Sequence, residues 1–122
     1  MQWNLSDDRP IYVQLMETIT LAITSGELPA GSRLPSVRDL AAEAGVNPNT
    51  MQRALAELER SGLLYSQRTA GRFVTDQAAQ ITEKRTELAM EQIRVFLSAM
   101  QDMGYTAEQA LELTRRAIRE EK

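Results

Sequence analysis

Apolar residues recur at helical spacing in Ile11, Leu15, Ile19, Ala22 and Ile23, the stripe of an amphipathic helix. Pro10 suits a first helical position, Asp7 and Asp8 favour the positive end of the dipole, and Gly26 is a natural terminator. The spacing therefore predicts a helix from about Pro10 to Ser25. Leu28-Pro29-Ala30-Gly31 reads as a turn. Arg33-Leu34 reads as a short extended segment, because Pro35 biases its predecessor away from helix. Ser36-Val37-Arg38-Asp39 has the form of a capping box, with Asp where Glu or Gln is usual. The helix it opens runs to about Ala44 and turns Val37, Leu40 and Ala41 inward. Gly45 supplies the left-handed residue of a tight turn, Asn47 is a strong N-cap, and Pro48 fits a first turn. A third helix then runs to about Ser61 with Met51, Ala54, Leu55 and Leu58 inward, and Gly62 ends it.

The period changes after Gly62. Leu63–Gln67 and Arg72–Thr75 read as short strands, with Arg68-Thr69-Ala70-Gly71 as the hairpin loop between them. Tyr65 and Phe73 either pack inward or contact sugar and base. Beyond Asp76, Ile81, Leu88, Ile93, Phe96, Leu97, Met100 and Met103 mark a long helix ending at Gly104, quite polar in its first part. Thr106-x-x-Gln109 is a second capping box, opening a helix that carries Ala110, Leu111, Leu113 and Ile118. Two such helices cannot bury their apolar faces alone. They pack against a second copy of the chain, or fold back onto the N-terminal part.

Two short helices joined by the turn Gly45-Val46-Asn47 form a helix-turn-helix, and the hairpin directly after the second is a wing. Asn49, Thr50, Gln52 and Arg53 make a polar outer stripe on the third helix, and 49, 52 and 53 share a face. Asn and Gln offer two-point contacts to adenine and Arg to guanine. Asn47 and Thr50 sit at the helix start, where phosphate is favoured, although Asn47 serves equally as a cap alone. Arg38 reaches DNA beside the third helix or pairs with Asp39 or Glu43. Arg68 and Arg72 flank the wing loop in positions suited to phosphate or minor groove, and Gly71 permits a tight backbone turn there.

Composition narrows the function. The 122 residues suffice for one compact domain or a small domain with an extension, and 43% apolar content allows a core. A net charge of −3 argues mildly against nucleic acid. From Ser32 to Val74, however, Arg33, Arg38, Arg53, Arg60, Arg68 and Arg72 outnumber Asp39, Glu43, Glu57 and Glu59. Cysteine and histidine are absent, which removes disulfides, thiolate nucleophiles and the commonest metal ligand and general base. Glu83, Glu87 and Glu91 step by four as a solvated helix face, and no phosphate loop, serine elbow or metal-ligand spacing occurs. No catalytic residue, cofactor or metal is expected. The polar, acidic start MQWNLSDDRP is not a signal peptide and no apolar run is long enough for a bilayer, so the expected location is the cytoplasm.

The stretch from Pro10 to Val74, PIYVQLMETITLAITSGELPAGSRLPSVRDLAAEAGVNPNTMQRALAELERSGLLYSQRTAGRFV, resembles the GntR family of bacterial transcription regulators. The short two-helix tail is similar to the YtrA-like subfamily, which lacks the large effector domain of its relatives. The resemblance implies a mainly α chain: an N-terminal winged helix-turn-helix of three helices and a small β-wing over 1–76, then a two-helix dimerisation tail over 77–122. It implies a homodimer through the C-terminal helices, bound to double-stranded DNA at a pseudo-palindromic operator, and a repressor of a transporter operon and of its own gene. No small-molecule effector is assigned. Carried over by position, the family's DNA contacts fall on Arg38, Asn47, Asn49, Thr50, Gln52, Arg53, Arg68 and Gly71. Pro48 stands where many members have arginine, and Thr69 where the wing commonly has glycine. The competing reading is a winged-helix adaptor that grips a partner protein without direct DNA readout.

Overall fold

The computed structural model describes residues 1–121. Seven elements follow in order: α1 (Ile11–Thr24), α2 (Val37–Ala44), α3 (Pro48–Arg60), β1 (Leu64–Gln67), β2 (Gly71–Val74), α4 (Ala78–Asp102) and α5 (Ala107–Glu120). The chain divides into two compact units, Met1–Arg85 and the residues from Thr86 onward. The first turns of α4 belong to the first unit, where Ile81 packs on its core.

In the first unit α3 is the hub, packed against α1, α2 and β1. Its apolar stripe Met51, Ala54, Leu55 and Leu58 meets Leu15, Ile19 and Ile23 of α1, Leu40 and Ala41 of α2, and Leu34, Leu63, Leu64 and Val74 around the hairpin. Each large aliphatic side chain buried this way stabilises the fold by about 1.5–3 kcal/mol before chain entropy is counted. The helix ends are locally encoded. Asn47 Oδ1 accepts from Asn49 N at 2.7 Å and so caps α3. Gly45 adopts φ +72°, the left-handed residue that separates α2 from α3.

Three local expectations are corrected. Pro10 is the N-cap of α1 and not its first helical residue, because its ψ of 135° is extended. At α2 only half of the capping box forms: Ser36 Oγ accepts from Asp39 N at 3.1 Å. Asp is one methylene shorter than the Glu or Gln whose carbonyl reaches back. At α5 the box closes in both directions, with Gln109 N to Thr106 Oγ1 at 3.1 Å and Thr106 N to Gln109 Oε1 at 2.9 Å. In the wing, Leu64 and Val74 point into the core while Tyr65 and Phe73 stack on the opposite face, half-buried, with centroids 5.6 Å apart. The register pairs Leu64 with Val74 and Tyr65 with Phe73, and strand side chains alternate faces, so the two pairs cannot both turn inward.

Residues 32–34 extend the hairpin. Leu34 N donates to Arg72 O at 2.9 Å and Val74 N to Ser32 O at 2.8 Å, with Arg33 opposite Phe73. The residues before α1 are also organised. Buried Gln14 donates to Ser6 O and Arg9 O at 2.9 Å and accepts from Ser6 N at 2.8 Å, while Met1, Trp3 and Leu5 pack on the core. In the second unit Ala110 is fully buried. Ile93, Phe96 and Leu97 of α4 and Ala107, Leu111 and Thr114 of α5 line an open cavity of about 440 Å³.

Replacing Leu55, 1% exposed, with alanine removes a side chain from the centre of this core. Leu55→Ala is expected to lower stability by about 2–5 kcal/mol. Leu21→Ala, at a position 59% exposed on α1, is expected to change it by less than about 0.5 kcal/mol. Urea unfolding checks both: the Leu55→Ala midpoint should drop with its slope unchanged.

Candidate nucleic-acid interface

Burial of the inner stripe of α3 leaves the opposite face to solvent. Asn47, Pro48, Asn49, Gln52 and Arg53 are exposed, and Thr50 is half-buried. Asn49, Gln52 and Arg53 stand at i, i+3 and i+4 on one helix and therefore form one edge. Two of them have neighbours that restrain them. The Arg53 guanidinium lies over the Tyr12 ring of α1, 3.7 Å from its centroid, a cation–π contact that holds the side chain toward α1. Gln52 Oε1 accepts from Arg72 Nη1 at 3.4 Å, which links the outer edge of α3 to the wing. Asn47 has its amide oxygen committed to the cap.

The arginines around the helix-turn-helix fall into two groups. Arg9 pairs with Glu17 at 2.8 Å, Arg60 with Glu57 at 3.6 Å and Arg72 with Glu59 at 3.6 Å. Among the described residues Arg33, Arg38 and Arg68 have no carboxylate partner, and all three are exposed. The ion pairs weighed for Arg38 do not form. Glu43 instead accepts from the Trp3 indole Nε1 at 3.0 Å, a partner supplied by the segment before α1. Arg33 and Arg68 line one groove, together with Ser36 and Val37 at the start of α2.

Arg72, expected with Arg68 at phosphate or minor groove, is engaged within the protein instead. Arg72 shares the inward face of β2 with Val74, so its side chain runs back toward α3 and is only 18% exposed. There it meets Glu59 and Gln52, while Ser66 Oγ donates to Glu59 Oε1. Gly71 has φ +106°, and a Cβ there would stand 3.1 Å from Arg33 Nε. The glycine thus serves a turn and also makes room for the Arg33 side chain. Sequence reasoning counted Arg33 among the basic residues without giving it a role. The adjoining extended segment Arg33-Leu34 was the available signal, since a strand laid beside β2 carries its side chains to the wing.

Among the described residues no three acidic side chains converge in a way that could hold a metal ion, and no helix is long and apolar enough to cross a membrane.

Comparison with known proteins agrees with this geometry. Residues 11–74 match the family described as bacterial regulatory proteins, gntR family. The chain is 36% identical over 112 residues to the HTH-type transcriptional regulator YhcF of Bacillus subtilis, covering 92% of this chain and 93% of that protein. It is 34% identical over 86 residues to the HTH-type transcriptional repressor YtrA of the same organism, covering 70% of this chain and 66% of that one. Among solved structures, a GntR family transcriptional regulator from Listeria monocytogenes superimposes with a TM-score of 0.85 at 34% identity, over 92% of this chain and 98% of the other. AraR(DBD), solved in complex with operator ORX1, superimposes with a TM-score of 0.54 at 33% identity, over 62% of this chain and 92% of that one. With its winged helix-turn-helix and short helical tail, the chain belongs to the GntR family of bacterial regulatory proteins, as a DNA-binding transcription regulator of the YtrA-like kind.

Proposed function

We propose that the chain is a cytoplasmic, homodimeric repressor that places α3 of each protomer in a major groove of a pseudo-palindromic operator. The observation that carries this reading is the set of exposed arginines without a carboxylate partner among the described residues, Arg33 before α2, Arg38 on α2 and Arg68 at the wing loop, while Arg9, Arg60 and Arg72 are paired. An arginine without a carboxylate is a donor available to phosphate or guanine. In this reading Arg68 and Arg33 bind backbone phosphate near the wing, with Gly71 allowing the approach. Asn47 and Thr50 meet phosphate at the start of α3. Asn49, Gln52 and Arg38 address base edges, and Arg53 joins them by leaving the Tyr12 ring. Residues 1–76 then form the DNA-binding part and 77–122 the dimerising part.

Support for the finer points comes from the relatives. One is named a transcriptional repressor, and another was solved with an operator. A transporter operon and the chain's own gene are the targets the YtrA-like resemblance implies. For the dimer, the second unit exposes Ile93, Val95, Phe96, Met103, Leu111 and Ile118, an apolar surface that a second copy would cover. Half-sites would then lie about 34 Å, one helical turn, apart or at a multiple of it.

Two experiments test this reading. Binding to duplexes selected from a randomised pool, measured against scrambled DNA, separates readout from positioning. Gln52→Ala should lose discrimination of about 1–3 kcal/mol at one base pair per half-site. Arg68→Ala should weaken selected and scrambled duplexes alike and make the logarithmic salt slope shallower by about 0.9 for each phosphate the variant no longer neutralises. If both variants bind as the parent does, the assignment of α3 and the wing to DNA is wrong. Sedimentation equilibrium examines the dimer: Phe96→Asp with Leu111→Asp should shift a dimeric parent to monomer. A parent that is monomeric throughout the micromolar range excludes the dimer.

A further inference from the structure

The contact between wing and recognition helix carries a consequence for what Gln52 reads, resting on the assignment of Gln52 to a base edge. A guanidinium has only donors, so the amide atom facing Arg72 Nη1 at 3.4 Å is Oε1. Arg72 is itself held from behind by Glu59, whose Oε1 lies 3.6 Å from its Nε and also accepts from Ser66 Oγ. Glu59 stands seven residues after Gln52, two turns along the same helix, so the carboxylate that anchors Arg72 is rigidly tied to the side chain that Arg72 contacts. The Arg72 side chain is 18% exposed, and its Nε is buried without a hydrogen-bond partner. Both facts mark a side chain packed back against α3.

We propose that Arg72 is a positioning residue that sets the base preference of Gln52. With Oε1 drawn toward the wing, Gln52 presents its NH₂ group to the groove. The two-point contact of an amide with adenine requires the oxygen to accept from N6 while the nitrogen donates to N7. An amide turned nitrogen-outward sets donor against donor at adenine N6. Guanine offers two acceptors in the major groove, N7 and O6, and fits the outward NH₂ group. A glutamine free to turn would favour adenine; this one is held to favour guanine. The sequence reading, which paired Gln52 with adenine, considered the side chain without its neighbour.

Selection of duplexes from a randomised pool by the full-length chain tests the inference, with Gln52→Ala locating the base pair read by residue 52. The parent should select guanine at that position. Arg72→Met keeps the aliphatic bulk and frees the amide, and should move the preference toward adenine by at least about fivefold, the lower end of what one bidentate contact discriminates. Its salt slope should match the parent's, since the inward-facing Arg72 neutralises no phosphate. Glu59→Gln removes the charge that holds Arg72 while leaving Arg72 in place. It should shift the preference in the same direction, so the inference does not depend on the folding of one variant. If both variants keep the parent's preference at that base pair, this inference fails while the proposed function stands. It also fails if Arg72→Met weakens all sequences equally with a shallower salt slope, which would make Arg72 a phosphate ligand. A parent chain with no sequence preference would defeat the proposed function and this inference together.

Discussion

Everything in the first unit depends on how α3 is buried. Met51, Ala54, Leu55 and Leu58 are nearly or fully sealed against α1, α2 and the base of the hairpin. A helix buried along one stripe has no choice about its opposite stripe. Rotating α3 by a single residue, about 100°, would pull leucine from the core and push an amide in, at a cost of several kcal/mol. Hydrophobic packing alone therefore decides that Asn49, Gln52 and Arg53 face outward, and holds them at a fixed angle to the wing. The proposed readout surface is the by-product of a core, and a rigid element is what a specificity site needs.

Charge pairing does the corresponding work for the arginines. The chain is net acidic, which gives little long-range attraction to a polyanion. What it has instead is a division of labour. Arg9, Arg60 and Arg72 are engaged by Glu17, Glu57 and Glu59, Arg53 is laid over Tyr12, and Arg33, Arg38 and Arg68 are left unpaired. Trp3 engages Glu43, and Arg38, five residues earlier on α2, lies on a different face from it. Such a surface favours binding through a few placed donors over a diffuse basic coat. The more exposed pairs, Arg9 with Glu17 and Arg60 with Glu57, add little to stability, roughly 0–1 kcal/mol, so their main effect is to decide which cations remain available.

Much of this was legible along the chain. The boundaries of α2, α3 and α5 follow from Ser36, Gly45, Asn47, Pro48 and Thr106, because capping and left-handed turns are local chemistry. The winged helix-turn-helix and the GntR family were likewise within reach of the stretch from Pro10 to Val74. The misses share a different cause. Pro10 fell outside α1 through its own extended ψ, and the α2 box half-closed for want of one methylene. Tyr65 and Phe73 went to the outer face, and Arg72 to the inner one, because the hairpin register fixes a strand's faces and a four-residue strand shows too little alternation to reveal it.

The sequence by itself determined the elements, the core stripe of α3 and the list of polar residues opposite it, since periodicity and capping act over a few residues. Only the tertiary structure decided which of those residues are free. The Arg33 side chain beside Gly71, Arg53 over Tyr12, Glu43 taken by Trp3, and Arg72 between Glu59 and Gln52 all join residues that are far apart along the chain and lie on different elements. Their meeting depends on how the segment before α1, the three helices and the wing pack together, and distance along the chain does not encode it.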